Sequence, residues 1–111
     1  MADKMADKET KSKVAQLQML HQNLQTLLVQ KQHFQLQLNE TESALKEVKD
    51  SQQAYKIIGN IMVLSSAAAI DTDLKEKRET FELRLKNIET QEERLRKKSE
   101  ELQKQLMAEL K

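Results

Sequence analysis

The 111-residue sequence has no cysteine and no proline, and its only glycine is Gly59. Without cysteine, the chain can form no disulfide bond and has no thiolate nucleophile. Aromatic residues are limited to one tyrosine and two phenylalanines, while 33% of the residues are charged. Such a composition is typical of long helices and argues against a globule with a large packed core. Because few residues favour turns, the single glycine marks the expected reversal of the chain.

The charge balance and the hydropathy of the sequence argue against nucleic-acid and membrane partners. Lys and Arg number 19 and Asp and Glu number 18, a formal net charge of +1, which gives no general attraction to nucleic acid or anionic lipid. The most basic run, at 94–98, is flanked by glutamate pairs. No apolar run approaches the roughly 20 residues of a transmembrane helix, and no secretion leader is recognised. We therefore expect a cytoplasmic protein.

Two long segments carry mostly apolar residues at alternating spacings of three and four, the pattern of a coiled-coil seam. Two arms of similar length on a short connector fold back on each other. We therefore predict a mainly α protein built on an antiparallel two-helix coiled coil. The first seam is Leu17, Leu20, Leu24, Leu27, Lys31, Phe34, Leu38, Thr41, Leu45 and Val48. The second seam is Leu74, Arg78, Phe81, Leu85, Ile88, Glu92, Leu95, Ser99, Leu102 and Leu106.

The expected boundaries come from capping signals and from the start of the apolar pattern. The first residues have no apolar frame, so we expect them to be disordered, and Ser12 is a suitable N-cap for the first helix. The boundaries are a disordered N-terminus over 1–11 and a single domain over 12–111, with a helix at 12–50, a β-hairpin at 54–64 and a helix at 67–111. The start of the second helix has two interpretations. Either Ser65 or Ser66 caps Ala67, or Asp73 and Glu76 form a later capping box.

Both seams are interrupted by a charged residue at a similar height. Antiparallel alignment places Lys31 opposite residues 88–92, so a Lys31–Glu92 ion pair is one hypothesis, and outward extension of both side chains into solvent is the other. His21 and His33 lie about 120° apart around the helix and cannot share a metal ion. We therefore expect solvated histidines, no metal site and no cofactor.

The connector between the two helices is the most apolar part of the chain. Gly59-Asn60 favours a type II′ turn between two strands. Tyr55, Ile57, Ile61 and Val63 are apolar, and so are Ile58, Met62 and Leu64, whereas only Lys56 is charged. One hairpin cannot bury both faces against its own helices, so we predict that hairpins of several chains join into a shared sheet or barrel. The alternative is a simple turn in a helical hairpin. The predicted assembly residues are Tyr55, Ile57, Ile58, Gly59, Asn60, Ile61, Met62 and Val63.

The sequence contains no catalytic motif, and its carboxylates alternate with basic residues as on an exposed helix. We therefore expect no catalytic residue and no enzyme activity. Apolar residues instead gather where the free ends of the two helices converge, and flexible methionines suit a surface that adapts to varied partners. The alternative is ordinary coiled-coil core with frayed ends. The predicted polypeptide-binding residues are Val14, Leu17, Met19, Leu20, Leu102, Leu106, Met107 and Leu110.

Several stretches together resemble the β class of the prefoldin family, most closely its archaeal type. The most specific is the hairpin Tyr55-Lys56-Ile57-Ile58-Gly59-Asn60-Ile61, at the expected distance from both helices. The others are Val29-Gln30-Lys31-Gln32, Leu38-Asn39-Glu40-Thr41, Leu83-Arg84-Leu85-Lys86-Asn87-Ile88-Glu89 and Gln91-Glu92-Glu93-Arg94-Leu95. The resemblance covers about residues 14–110. It departs from the family at 65–69, Ser-Ser-Ala-Ala-Ala, where charged residues usually open the second helix.

The resemblance implies an ATP-independent chaperone subunit, a holdase, in a hexamer of two α and four β subunits. Each β chain gives its hairpin to a double β-barrel, and the tips of the coiled coils hold unfolded polypeptide clients for delivery to a group II chaperonin. The alternative function is a structural or tethering coiled coil without chaperone activity.

Overall fold

The computed structural model describes residues 2–49 and 52–109, with side chains from residue 8 onward. The elements in chain order are α1 (Ala2–Val48), β1 (Gln53–Ile58), β2 (Ile61–Ser66) and α2 (Ala67–Glu109). Two compact units share these elements. The terminal unit contains the residues up to Lys31 and those from Asn87 onward, and the hairpin unit contains Gln32–Lys86. The predicted pair of helices with a β-hairpin between them is confirmed.

The first helix begins at Ala2, earlier than the boundary expected at Ser12. The expectation followed the apolar pattern, whereas helix formation depends on the backbone preference of each residue. Residues 2–11 include two alanines, three lysines, a methionine and a glutamate, which favour the helix, and contain no glycine or proline to stop it. The helix ends at Val48, and the expected end at residue 50 lies outside the described residues.

The predicted coiled-coil seams are confirmed by the burial of their side chains. Every seam position of both helices is buried or half-buried, including the polar ones. The most buried of them are Leu38, Thr41 and Leu45 in α1 and Leu85, Ile88, Ser99 and Leu106 in α2. In α2 the same spacing continues to the buried residues Ala67 and Ile70, before the predicted seam. Alternation of three and four therefore correctly identified the face that each helix turns to the other.

The helices run antiparallel in the terminal unit, because His21 meets Ser99 whereas Lys31, further along α1, meets the earlier residue Glu92 of α2. In the terminal unit, His21 of α1 meets Ser99 of α2, with Nε2 3.4 Å from Oγ. In the hairpin unit, the rings of Phe34 and Phe81 lie 6.3 Å apart, and the Arg84 guanidinium lies 5.4 Å from the centre of the Phe34 ring. The two phenylalanines of the chain thus pack against each other across the seam, and an arginine covers one of them.

The hairpin turn has the predicted type II′ geometry. Ile58 pairs with Ile61, so Gly59 and Asn60 form the two-residue loop between β1 and β2. Gly59 has a φ of 61°, which strains any residue with a Cβ atom. No other described residue has a positive φ. A type I′ turn would require one at Asn60 as well, so the geometry selects type II′.

The start of α2 is set by a serine cap. The Ala69 N–H donates a hydrogen bond to Ser66 Oγ at 3.2 Å, so Ser66 is the N-cap and α2 begins at Ala67. This contact selects Ser66 among the predicted caps, and it places Asp73 and Glu76 inside the helix. The small residues at 67–69, which depart from the family pattern, are therefore the first turn of α2.

The seam assignment predicts that two substitutions in α2, one inside the seam and one outside it, differ in their effect on the free energy of unfolding. Ile88 is 6% exposed, so Ile88→Ala is expected to lower the free energy of unfolding by about 2–5 kcal/mol through lost burial and a residual cavity. Leu83 is 60% exposed, so Leu83→Ala is expected to change it by less than about 0.5 kcal/mol. Urea unfolding followed by circular dichroism measures both. Equal effects of the two substitutions would contradict the seam assignment.

Candidate functional site

The strand register divides the hairpin side chains between two faces. Tyr55 pairs with Leu64, Lys56 with Val63 and Ile57 with Met62. Directly paired residues point to the same side of a sheet. We call one side the tyrosine face, which consists of Tyr55, Ile57, Met62 and Leu64. The other is the lysine face, which consists of Ala54, Lys56, Ile58, Ile61 and Val63.

Both faces of the hairpin are exposed. The exposed fraction ranges from 42% at Val63 to 69% at Ile57, with the values of the other large apolar residues between them. Leu64, 53% exposed on the tyrosine face, is absent from the assembly set predicted from the sequence. The pairing register is the signal that identifies it. A contiguous apolar patch of this kind is typical of a surface that another chain covers.

The hairpin also presents free strand edges. β1 and β2 form a two-stranded sheet, so within the described residues each strand pairs along one side only. The other side of each strand carries N–H and C=O groups that can accept a further strand. The predicted assembly residues therefore combine two exposed apolar faces with two edges suited to pairing.

The terminal unit divides the predicted polypeptide-binding residues into two groups. Val14, Met19 and Met107 are exposed, with 66% exposure at both methionines. The leucines of the set lie in the seam: Leu17, Leu20 and Leu102 are half-buried and Leu106 is buried. Leu110 lies outside the described residues. Only part of the predicted set is therefore surface in this chain.

A groove of about 420 Å³ lies between the helices of the terminal unit. Met19, Leu20 and Leu102 form its apolar part. Its polar lining consists of Gln16, Asn23, Lys98, Glu101 and Gln105. One exposed methionine and two seam leucines of the predicted set thus line the same concave surface. The charges of Lys98 and Glu101 cancel, so the groove has no net charge.

The helix ends of the terminal unit are joined by a polar contact. Thr10 Oγ1 donates to Glu109 Oε2 at 2.9 Å, and the Lys13 ammonium pairs with Glu109 Oε1. The hydrogen bond from Lys13, followed by the one from Thr10, lowers the pKa of the Glu109 carboxyl from its ordinary value. This contact contributes stability above the ordinary glutamate pKa of about 4.3 and loses it as the pH falls through the lowered folded-state pKa.

An NMR pH titration of the Glu109 carboxyl carbon tests this contact. The midpoint is expected below the ordinary glutamate value in the unchanged chain. In Lys13→Met it is expected to rise, because the main hydrogen-bond donor to the carboxylate is gone. An identical midpoint in the two chains would contradict the contact.

The interruptions of the seam are polar contacts within the terminal unit. Lys31 Nζ lies 3.7 Å from Glu92 Oε1, which favours the ion pair over the alternative of outward extension, and Arg96 Nη2 approaches the same oxygen to 3.0 Å. His21, predicted to be solvated, contacts the buried Ser99. Specific polar pairs of this kind in an otherwise apolar seam favour one register of the two helices.

The described residues contain no group of three or more His, Asp or Glu that could hold a metal ion.

Comparison with known proteins gives consistent matches along most of the chain. A family model described as "Prefoldin subunit" matches residues 11–111. The prefoldin subunit beta of Archaeoglobus fulgidus is 42% identical over 96 residues, which cover 84% of this chain and 83% of that protein. The corresponding protein of Thermococcus gammatolerans is 42% identical over 106 residues, or 93% and 91%.

A solved structure gives the same result. The crystal structure of the prefoldin beta subunit from Thermococcus strain KS-1 matches with a TM-score of 0.83 and 35% identity, over 90% of each chain. The match of the two helices and the apolar hairpin to prefoldin subunits, over most of the chain, identifies the class of protein as a chaperone subunit. The chain belongs to the prefoldin family, and to its β class. The resemblance seen in the sequence is confirmed.

Neither helix, over the residues described, has the length and hydropathy to cross a membrane.

Proposed function

We propose that this chain is an ATP-independent holdase subunit that assembles through its hairpin and binds unfolded polypeptides near its helix ends. The observation that supports this most directly is the exposure of large apolar side chains on both hairpin faces, 42–69% for each of them. Such a surface is unfavourable in water unless other chains cover it. The proposal also draws on the β class, whose members are chaperone subunits.

For the assembly, we propose a hexamer of two α and four β subunits in which the hairpins form an inter-subunit β-barrel. Addition of hairpins edge to edge satisfies the free N–H and C=O groups of β1 and β2. Closure into a barrel removes the remaining edges. The interior of such a barrel buries one of the two apolar faces that a single chain leaves exposed, and contacts of the outward face with neighbouring subunits can cover the other.

For client capture, we propose the apolar surface of the terminal unit, including Met19, Met107 and the groove at Leu20 and Leu102. Each such surface is small, so a single contact with an unfolded chain is weak. Several arms of one hexamer hold the same client, and their effective concentration raises the affinity without new contacts. Release to a group II chaperonin in the cytosol then requires only that these weak contacts exchange one by one.

The deciding experiment mixes the purified chain with an α-class partner. The expected result is one discrete hexamer in a mass measurement, and suppression of the aggregation of a chemically unfolded test protein without ATP. A tethering coiled coil would instead form dimers or higher coiled coils and leave aggregation unchanged. That result would overturn the proposal.

A further inference from the structure

Lys56 is the only charged residue of the hairpin over 53–66, and it lies on the otherwise apolar lysine face. A charge in this position is unfavourable for a surface that neighbouring hairpins cover, unless it has a partner. The chain provides one: Lys56 Nζ lies 3.0 Å from Asp73 Oδ2. Asp73 belongs to the second turn of α2, so this ion pair links the hairpin to the helix that follows it.

The hairpin is thus attached to α2 at two heights. At its base, the Ala67 N–H donates to the Gln52 carbonyl oxygen at 3.3 Å. The Lys56–Asp73 pair lies further along the strands, towards the turn. Val63, directly opposite Lys56, is the least exposed of the large apolar hairpin residues at 42%. These observations indicate that the lysine face leans towards α2.

The ion pair has little weight in the stability of the single chain. Both side chains are 45% exposed, and ion pairs this exposed contribute little to the free energy of unfolding. Its geometric effect is larger, because a hairpin fixed only at its base can change its tilt, whereas a second contact restricts it. Strand pairing between chains needs one definite tilt, and a restricted hairpin loses less conformational freedom when it associates.

We propose that the Lys56–Asp73 ion pair sets the tilt of the hairpin on α2 and so positions it for assembly with other subunits. Lys56 and Asp73 are positioning residues in this proposal. The inference rests on the proposed function, since it assumes that the hairpin is the assembly surface.

The charges around the pair determine how it is best tested. The groove beside it also contains Glu76, Lys77 and Arg84. Glu76 can take the place of Asp73 if Asp73 is merely neutralised, so reversal of a charge is more informative than its removal. The test set is Lys56→Asp, Asp73→Lys and the chain with both changes, each mixed with the α-class partner. The matched control reverses a pair within α2, Asp71 and Lys75, whose atoms lie 2.9 Å apart.

Each single reversal is expected to raise the concentration for half-complete hexamer formation by about tenfold. It places like charges at the original pair and redirects the hairpin to another charge of the groove, so the tilt changes in every β subunit. The chain with both changes is expected to return to within about threefold of the unchanged one. Reversal of Asp71 and Lys75 together is expected to leave assembly unchanged. Helix content by circular dichroism is expected to be the same throughout.

The outcomes separate this inference from the function on which it rests. Single reversals that assemble normally, or a doubly changed chain as weak as the single ones, would overturn the positioning role while the hexamer itself stands. If the unchanged chain forms no hexamer with its α partner, the proposed function fails first. One single variant could lose structure and fail to assemble for that reason. Recovery of assembly in the doubly changed chain would still support the inference, because that chain differs from the single variants only in having opposite charges at both positions again.

Discussion

Ile61→Asp combined with Val63→Asp is expected to abolish assembly with an α-class partner. The two residues lie in β2 on the lysine face and are 67% and 42% exposed in the single chain, so the changes cost little before association. In an assembled sheet the carboxylate of Ile61→Asp would be buried without a partner, and that of Val63→Asp, opposite Lys56, would have to compete with Asp73 for the same ammonium. Burying this charge costs several kcal/mol, which weakens assembly at least about a hundredfold. Light scattering coupled to size-exclusion chromatography measures the mass.

The matched control places the same charge on apolar residues outside the hairpin. Leu36 and Leu83 are 57% and 60% exposed on the helices, similar to the hairpin residues. Leu36→Asp with Leu83→Asp is therefore expected to leave the hexamer intact. A full-mass hexamer from the chain altered at Ile61 and Val63 would show that the hairpin is not the assembly surface.

The helical part of the fold could be predicted because a coiled-coil seam is a local pattern. Each turn of helix repeats the same geometry, so spacing alone tells which side chains face the partner. Even the polar exceptions follow this rule: Thr41 and Ser99 are each 6% exposed in seam positions. The Lys31–Glu92 pair could also be proposed from the sequence, since antiparallel alignment places these two residues at one height.

The hairpin faces could not be predicted from alternation alone. Residues two apart in one strand share a face, but the relation between two strands depends on the turn that joins them. A two-residue turn pairs Tyr55 with Leu64, and so places Leu64 on the face of Ile57 and Met62. A shift of register by one residue would have exchanged the faces. The two-residue turn predicted at Gly59-Asn60 already implies this pairing, so Leu64 could have been included in the predicted assembly set.

The contacts between distant segments were also beyond the sequence. His21 and Ser99, or Lys56 and Asp73, meet only because helix register and hairpin tilt take particular values. Many other pairs of polar residues have equivalent spacing in the sequence. The cap at Ser66 is an intermediate case, because the sequence offered a short set of candidates and the hydrogen bond from Ala69 selects one.

The second large effect is expected from shortening both helices. A chain trimmed to residues 20–103 lacks Met19 and Met107, both 66% exposed, and the buried seam residue Leu106. It keeps Leu20 and Leu102, but only at its two ends, where helices fray and the groove loses one of its walls. It keeps the hairpin unit and the Lys31–Glu92 pair in the remaining part of the terminal unit. We expect it to form the hexamer with an α-class partner and to lose protection of an unfolded test protein.

The reason for this separation is that assembly and capture use different units of the chain. Capture depends on apolar contacts repeated over several arms, so removing them from every β arm at once removes the combined affinity as well.

The measurement is the light scattered by a chemically unfolded test protein at increasing ratios of hexamer, with circular dichroism to verify the helices. Met19→Ser with Met107→Ser in the full chain provides the matched variant: the seam stays intact, and protection is expected to weaken. Undiminished protection by the trimmed hexamer would place capture elsewhere in the molecule.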